Sequence, residues 1–386
     1  MQRKAVPLFI LLTVPLLLAA CDDGDTDTQA DETGEAAGLP ERYWTSTADG
    51  WRSRTLVEGM TVFDLDGALD SQGFPHLLVS GWEMGELLYI TWDGGAWDSA
   101  MIQTGGGQAT ALDLELTPED RPQSIFTLRR EDDAGRVGYD LMHLRLIDEG
   151  WAMNGLYSAP SRIGAEVHLD AAAEPYLLFP IVSEGEEFEG VMIGRSREGA
   201  WTFSVTGLLV NTWRINQLVL SNDGMPHFAH LDGSIVSYTY REEGRWESDA
   251  VTVIDSDDAE IDLALAPDGT PHLIWSDNDA RDLHYARKVD GEWAIETLFE
   301  SGAGYDIDLE LDSTGRARLC CARDTDEGRW LFYGERTETG WELGPVEPER
   351  AGGYPNCLAV DDLNRSHIFY YADRPEELRH LMQTGD

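Results

Sequence analysis

Histidine is the commonest general acid–base side chain near neutral pH. Four of the nine histidines in this chain stand in one recurring phrase. His76, His227 and His272 close a Gly-x-Pro-His turn, and His367 holds the same place in a related turn. Catalysis needs one asymmetric constellation. A residue repeated at equivalent places does an equivalent job, and the expectation here is a structural hydrogen bond to a neighbouring turn or strand. Carboxylates offer more. Ten positions before the fourth residue of each phrase stand Asp66, Asp113, Glu166, Gln217, Asp262, Asp308 and Cys357, five of them acidic. Brought together, such carboxylates repel one another unless protonated, solvated, paired or bridged by a cation. Two further runs are acidic: Asp255, Asp257, Asp258 and Glu260, then Asp277, Asp279 and Asp282. Calcium takes several carboxylate and carbonyl oxygens from flexible loops. Asp255, Asp257, Asp258, Asp277 and Asp279 are therefore the metal candidates, with calcium as the cation, although the full EF-hand spacing is absent.

The elements that must position these residues come from a repeat. A tryptophan recurs at Trp51, Trp97, Trp151, Trp201, Trp246, Trp293 and Trp341, 45 to 54 residues apart, each with a glycine one or two places before it. Eight residues before each stands Tyr43, Tyr89, His143, Ile193, Tyr238, Tyr285 or Tyr333. The turn phrase recurs with its fourth residue at His76, Gln123, Tyr176, His227, His272, Arg318 and His367. Self-similarity at this period marks a propeller or solenoid. Each repeat holds four short apolar stretches punctuated by turn residues. Its second stretch is apolar on both faces, as in Leu273-Ile274-Trp275, the pattern of a strand covered on both sides. Stacked blades cover their inner strands in this way and leave only short, protected edges.

The fold class is therefore all-β, a seven-bladed β-propeller with four-stranded blades over residues 41–386. The last repeat lacks a Gly-Trp strand, while Gly50-Trp51 to Val57 lacks a preceding first or second strand. The two termini should share one blade and close the ring, with Trp51 to Val57 outermost. Either Leu378-Arg379-His380 or Tyr43-Trp44 fits its third strand. In such a ring Asp66, Asp113, Glu166, Asp262 and Asp308 begin innermost strands and gather near one mouth of the channel. The expected use of each is to accept a hydrogen bond from the adjacent blade's backbone, as the acids of WD-repeat propellers do. The seven tryptophans should pack between blades, each indole N–H finding a partner.

In strand length and turn placement the repeats resemble sialidase-like and lectin-like propellers. The likeness stops at the fold. Leu311-Asp312-Ser313-Thr314-Gly315-Arg316 is not the Ser-x-Asp-x-Gly-x-x-Trp box of sialidases, and no Gly-x-Ser-x-Gly elbow, P-loop or His-Glu-x-x-His occurs.

The N-terminus reads separately. Arg3 and Lys4 precede an apolar run from Ala5 to Leu18, then Leu18-Ala19-Ala20-Cys21. A basic start, a short apolar core and small residues before the cleavage point make a secretory signal over residues 1–20. The ending resembles the lipobox of bacterial lipoproteins, in which the cysteine is lipidated and becomes the first mature residue. That resemblance implies a lipid anchor at Cys21, membrane attachment and a place in the bacterial cell envelope, on the inner or outer membrane, facing periplasm or exterior. Residues 21–40 form an acidic tether with too little apolar surface to order itself. With 72 acidic against 28 basic residues, a formal charge of −44 excludes nucleic-acid binding through phosphate neutralisation. A monomer is expected. Beyond Cys21 only Cys320, Cys321 and Cys357 remain. Neighbouring side chains on a strand face opposite ways, so one of the vicinal pair could bridge to Cys357, or all three are small buried residues. Two functions remain open: a binding or scaffold module presenting an acidic, loop-built face to a protein or glycan, and a glycan-active enzyme using carboxylates on the channel-mouth loops.

Overall fold

The computed structural model describes residues 44 and 46–384 except 49, 82–84, 132–133, 183–187, 198, 209–216, 257–258, 278 and 280. The signal segment, Cys21 and the tether lie outside the described residues, as do Asp257 and Asp258.

Two strands precede the first complete blade: β1 (Ser46–Ala48) and β2 (Trp51–Glu58). Blade 1 is β3 (Val62–Leu69), β4 (Pro75–Gly81), β5 (Glu86–Trp92) and β6 (Trp97–Gln103). Blade 2 is β7 (Gln108–Leu116), β8 (Pro122–Glu131), β9 (Val137–Ile147) and β10 (Gly150–Ala159). Blade 3 is β11 (Glu166–Leu169), β12 (Pro175–Val182), β13 (Phe188–Arg197) and β14 (Ala200–Val205). Blade 4 is β15 (Gln217–Leu220), β16 (Pro226–Asp232), β17 (Ile235–Glu242) and β18 (Arg245–Val253). Blade 5 is β19 (Ala259–Leu265), β20 (Pro271–Asp277), β21 (Leu283–Val289) and β22 (Glu292–Phe299). Blade 6 is β23 (Ala303–Leu311), β24 (Ala317–Thr325), β25 (Gly328–Thr337) and β26 (Gly340–Pro345). Blade 7 takes β27 (Ala351–Val360), β28 (Ser366–Arg374) and β29 (Glu376–Gln383) from the C-terminus and β2 from the N-terminus.

All pairings are antiparallel, and first strands of successive blades pack side by side round a closed ring, β27 against β3 included. This is the seven-bladed β-propeller expected from the repeats. The third strand of the shared blade is β29, where Arg54 pairs with His380; Trp44 instead packs against His380, ring centroids 4.9 Å apart. One expectation needs correction. Trp51 to Val57 is not outermost, because β1 pairs outside β2 (Thr47 opposite Arg52), making this sheet five-stranded. Ser-Thr-Ala carries no apolar alternation that would have marked it as a strand.

The sequence phrase has a local cause in the turn from each first strand to its second. In all seven, a left-handed residue donates its N–H back three residues, from Gly73 to Asp70 at 2.9 Å and from Gly269 to Ala266 at 2.7 Å. This is a type I turn closed by a left-handed residue. Glycine fills that place in four turns; Asp120, Ala173 and Asn364 fill it in the others. Second strands are buried through their apolar runs, and every residue of β4 and β20 is buried.

The apolar core is divided into inter-blade layers, each mixing residues from two neighbouring blades. The recurrent aromatics build these layers. Tyr89 meets Trp151 of the next blade edge-on at 4.8 Å, Tyr285 meets Trp341 at 4.9 Å, and Tyr333 meets Trp51 at 4.9 Å across the last seam. The expectation of an acceptor for every indole fails for Trp293 and Trp341, whose N–H groups are buried without one; their rings are held by tyrosine edges instead. The three cysteines are free and buried. Each faces a different seam: Cys320 toward blade 7, where its thiol donates to Asn356 Oδ1 at 2.7 Å, Cys357 toward blade 1, and Cys321 toward blade 5. Separation into three layers is why no bridge forms.

Candidate functional site at the channel mouth

Each repeated histidine meets a third-strand side chain, and His76 and His367 also approach Asp70 at 3.6 Å and Asp361 at 3.3 Å. His272 Nδ1 lies 2.7 Å from the Tyr285 hydroxyl, His227 Nδ1 lies 2.5 Å from that of Tyr238, and His76 bonds Tyr89 in the same way. The tyrosine is the residue eight before each tryptophan, on the third strand, diagonally across from the histidine. Other blades vary the chemistry and keep the position. Gln123 meets His143 at 3.1 Å, Arg318 meets Tyr333 at 3.4 Å, and His367 meets His380 at 2.9 Å. Burial holds His143 and His272 down at about 4. These neutral imidazoles tie second strands to third strands.

The acids line the first strands, but within them rather than at their starts. Only Glu166 begins its strand, while Asp66 is the fifth residue of β3, Asp113 the sixth of β7, Asp262 the fourth of β19 and Asp308 the sixth of β23. These strands extend further toward their N-terminal ends than the apolar runs marked. Asp66 Oδ2 accepts the N–H of Leu114 at 2.5 Å, Asp113 that of Val167 at 2.5 Å, Asp262 that of Leu309 at 2.5 Å, and Asp308 that of Leu358 at 2.7 Å. In each case the donor is the residue after the equivalent position of the next blade. The ring of acids therefore laces first strand to first strand. Asp262 and Asp308 are also hydrogen-bonded carboxyl to carboxyl, as are Asp113 and Glu166, and such a bond needs a proton. Burial, reinforced by neighbouring acids, pushes Asp66 and Asp262 well above the usual carboxylate range. Burial likewise raises Asp113 to about 7 and Asp308 to about 6. Hydrogen bonds from the next blade's backbone and a raised affinity for protons both relieve the repulsion. Gln217 and Cys357 sit at the two positions that are not acidic.

A second tier of acids lies beside the first, with Asp64 and Asp306 unanticipated and Glu260 expected only as a loop acid. Asp64 Oδ2 accepts the N–H groups of Ala111 at 2.6 Å and Leu112 at 3.4 Å; Glu260 accepts those of Asp306 at 2.6 Å and Ile307 at 3.4 Å. Asp306 in turn accepts the N–H of Asn356. Ala111 and Asp306 have φ of 53° and 52°, which aims two successive N–H groups at one oxygen, the geometry of an anion-binding nest. Their signal was the period of two in Asp64-x-Asp66, Glu260-x-Asp262 and Asp306-x-Asp308. Further along the channel, His168 Nδ1 pairs with Glu115 at 3.0 Å. Glu310 is driven well above its usual range by burial and by Asp308, Asp262 and Glu115.

The surrounding loops differ from blade to blade. Tyr354 is 43% exposed at the start of β27, in the field of Asp306, Asp64, Glu260 and Arg162. Tyr305 lies under the guanidinium groups of Arg281 and Arg329, at 5.2 and 4.3 Å, and Asp324 bridges both arginines. In the metal-candidate loops, Asp255 and Asp279 are exposed. Asp277 is buried at the end of β20, its carboxylate capping the Asp279 N–H at 2.8 Å and its carbonyl accepting from Arg281 at 2.6 Å. Among the described residues no three or more His, Cys, Asp or Glu side chains gather as a metal ion would require.

No protein-family model and no curated protein matches the chain. Solved structures do. A Dyadobacter fermentans protein of unknown function superposes with a TM-score of 0.52 at 12% identity, covering 87% of this chain and 99% of its own. The polysaccharide lyase Uly1 gives 0.52 at 9% identity, over 93% and 94% of the two chains. A puromycin-hydrolyzing peptidase from Mycobacterium tuberculosis gives 0.53 at 13% identity, over 87% of this chain and 53% of that one. At such identities the likeness is one of fold, shared by proteins of different activities.

Proposed function

We propose that this chain is an exported, lipid-anchored β-propeller that works as a binding or scaffold module, presenting the acidic, loop-built mouth to a protein or glycan. The observation that carries this reading is the use of the convergent acids. Asp66, Asp113, Asp262 and Asp308 hold the next blade's backbone, so the inner ring is scaffolding and the differing loops above it are the variable surface. Loops on a rigid frame are the usual seat of recognition. Anchoring at Cys21 follows from Leu18-Ala19-Ala20-Cys21: incorporation of a fatty-acid label is expected to disappear in Cys21→Ser, and a mutant that still takes up label overturns the anchor.

A second reading has its own observation. Glu310, pushed well above its usual range by burial, lies in the field of Glu115, which pairs with His168 at 3.0 Å, and two neighbouring carboxyl groups are the ingredients of glycan cleavage. A panel of plant and bacterial polysaccharides separates the two. The binding reading expects saturable binding with no new reducing or unsaturated ends, weakened in Tyr354→Ala and unaffected in Glu310→Gln. Product formation that is lost in Glu310→Gln would establish the enzyme instead.

A further inference from the structure

Outer strands of propeller blades are open sheet edges, and proteins defend such edges with charge, proline, bulges or a covering segment. Six blades here do so. In β6 the defence is Asp98, in β10 a bulge between Gly155 and Tyr157. Strand β18 carries Glu247, Asp249 and a register break, β22 carries Glu292 and Glu296, and β26 carries Glu342 and Pro345. Strand β2 is covered by β1. Blade 3 is the exception. Strand β14, Ala-Trp-Thr-Phe-Ser-Val, has no charge and no proline, and it runs in unbroken register with β13. Phe203 and Val205 are 40% and 61% exposed, and among the described residues nothing pairs with its outer side.

We propose that the outer edge of blade 3 is a strand-addition site for an extended segment of a cationic protein, with large apolar residues alternating with lysine or arginine. This surface is separate from the channel mouth and does not depend on the reading given for it. Main-chain hydrogen bonds to an open edge supply affinity, and alternate side chains supply selectivity. Trp201, Phe203 and Val205 form an apolar row on one face, while exposed Thr202 and Ser204 line the other. The molecule contains its own precedent, since β1 is an extended segment added to the outer edge of blade 7. Charge decides between occupants. A net −44 opposes a second copy of the chain and draws in a basic one.

The test uses the full chain and a labelled Lys-Val-Lys-Val-Lys-Val peptide, with the Glu-Val counterpart as control. Saturable binding of the Lys-Val peptide is expected, with slowed amide exchange confined to residues 200–205. Val205→Lys should weaken it by about tenfold or more. Ile295→Lys, on the exposed face of β22 (43% exposed), adds the same charge elsewhere and should leave binding unchanged. Equal weakening by both substitutions, or no slowing of exchange at 200–205, overturns the site. Concentration-dependent self-association that disappears in Val205→Lys overturns the occupant in favour of a second copy.

Discussion

At the residue scale, the histidines that looked most like catalysts are brackets. His272 is 4% exposed and its ring bonds a fully buried tyrosine. Removing one partner leaves the other buried and unsatisfied, so His272→Ala should destabilise by about 1–3 kcal/mol, read as a lower chemical-denaturation midpoint. Unchanged stability with altered ligand binding would reverse the assignment. Repetition exposed the role of His76, His227, His272 and His367 in the sequence. What it did not expose was the partner, because histidine and tyrosine lie eleven to thirteen residues apart and only strand register brings them together. The acids follow the same division. Asp66, Asp113, Asp262 and Asp308 were legible from their fixed distance to the turn. Asp64 and Asp306 were hidden by irregularities at the starts of the first strands, and Glu260 read as a loop acid.

At the element scale, one side chain gathers the segments that close the ring. Arg379, 3% exposed on β29, has all five donor N–H groups engaged. They reach Glu347 at 2.7 and 2.8 Å, Glu377 at 3.0 Å, Thr55 at 2.7 Å and Ser53 at 3.0 Å. Ser53 and Thr55 belong to the N-terminal strand and Glu347 to the connection between blades 6 and 7, so the guanidinium joins both ends of the chain to the neighbouring blade. A buried pair broken on one side leaves an uncompensated charge, and Arg379→Met should cost about 3–5 kcal/mol. The loss should be local as well as global. Amide exchange in residues 51–58 should accelerate more than in β12, since opening of the shared blade is the cheapest sub-global motion of a ring. Uniform acceleration throughout would mean that closure is held mainly by the apolar layer of Leu56, Val57, Phe369 and Leu378. The sequence made the shared blade visible through its missing tryptophan strand. It did not mark Arg379, whose four partner residues come from three separate stretches of chain.

At the scale of the whole molecule, two buried populations titrate against each other. Asp64 and Asp308 are raised by burial to about 6 and Asp113 to about 7, while Asp66, Asp262, Asp306 and Glu310 stand well above the usual range. A carboxyl raised on folding contributes stability that is complete below its unfolded value and lost as pH rises through its folded value. Seven histidines run the other way, while His168, which burial lowers but its Glu115 partner raises further, follows the carboxyls. Burial lowers His143, His230 and His272 to about 4 and depresses His76, His227, His367 and His380. Their contribution is complete above the ordinary histidine range and is lost as pH falls from about 6.5 toward 4. The two slopes oppose between those values, and above about pH 6.5 the carboxyl slope remains with His168 adding to it, so stability should decline from there toward pH 8. Water entering the channel moderates the effect without changing its sign. Surface repulsion at −44 pulls in the same direction, and the two causes are separable because salt screens exposed charges far more than channel ones. Glu310→Gln should raise the melting temperature at pH 8, leave it unchanged at pH 4.5, and keep its advantage in high salt. Asp326→Asn, which removes one exposed charge, should give a smaller gain that high salt erases. Equal, salt-sensitive gains from both substitutions would place the alkaline decline on the outer surface and leave the channel carboxyls ionised without cost.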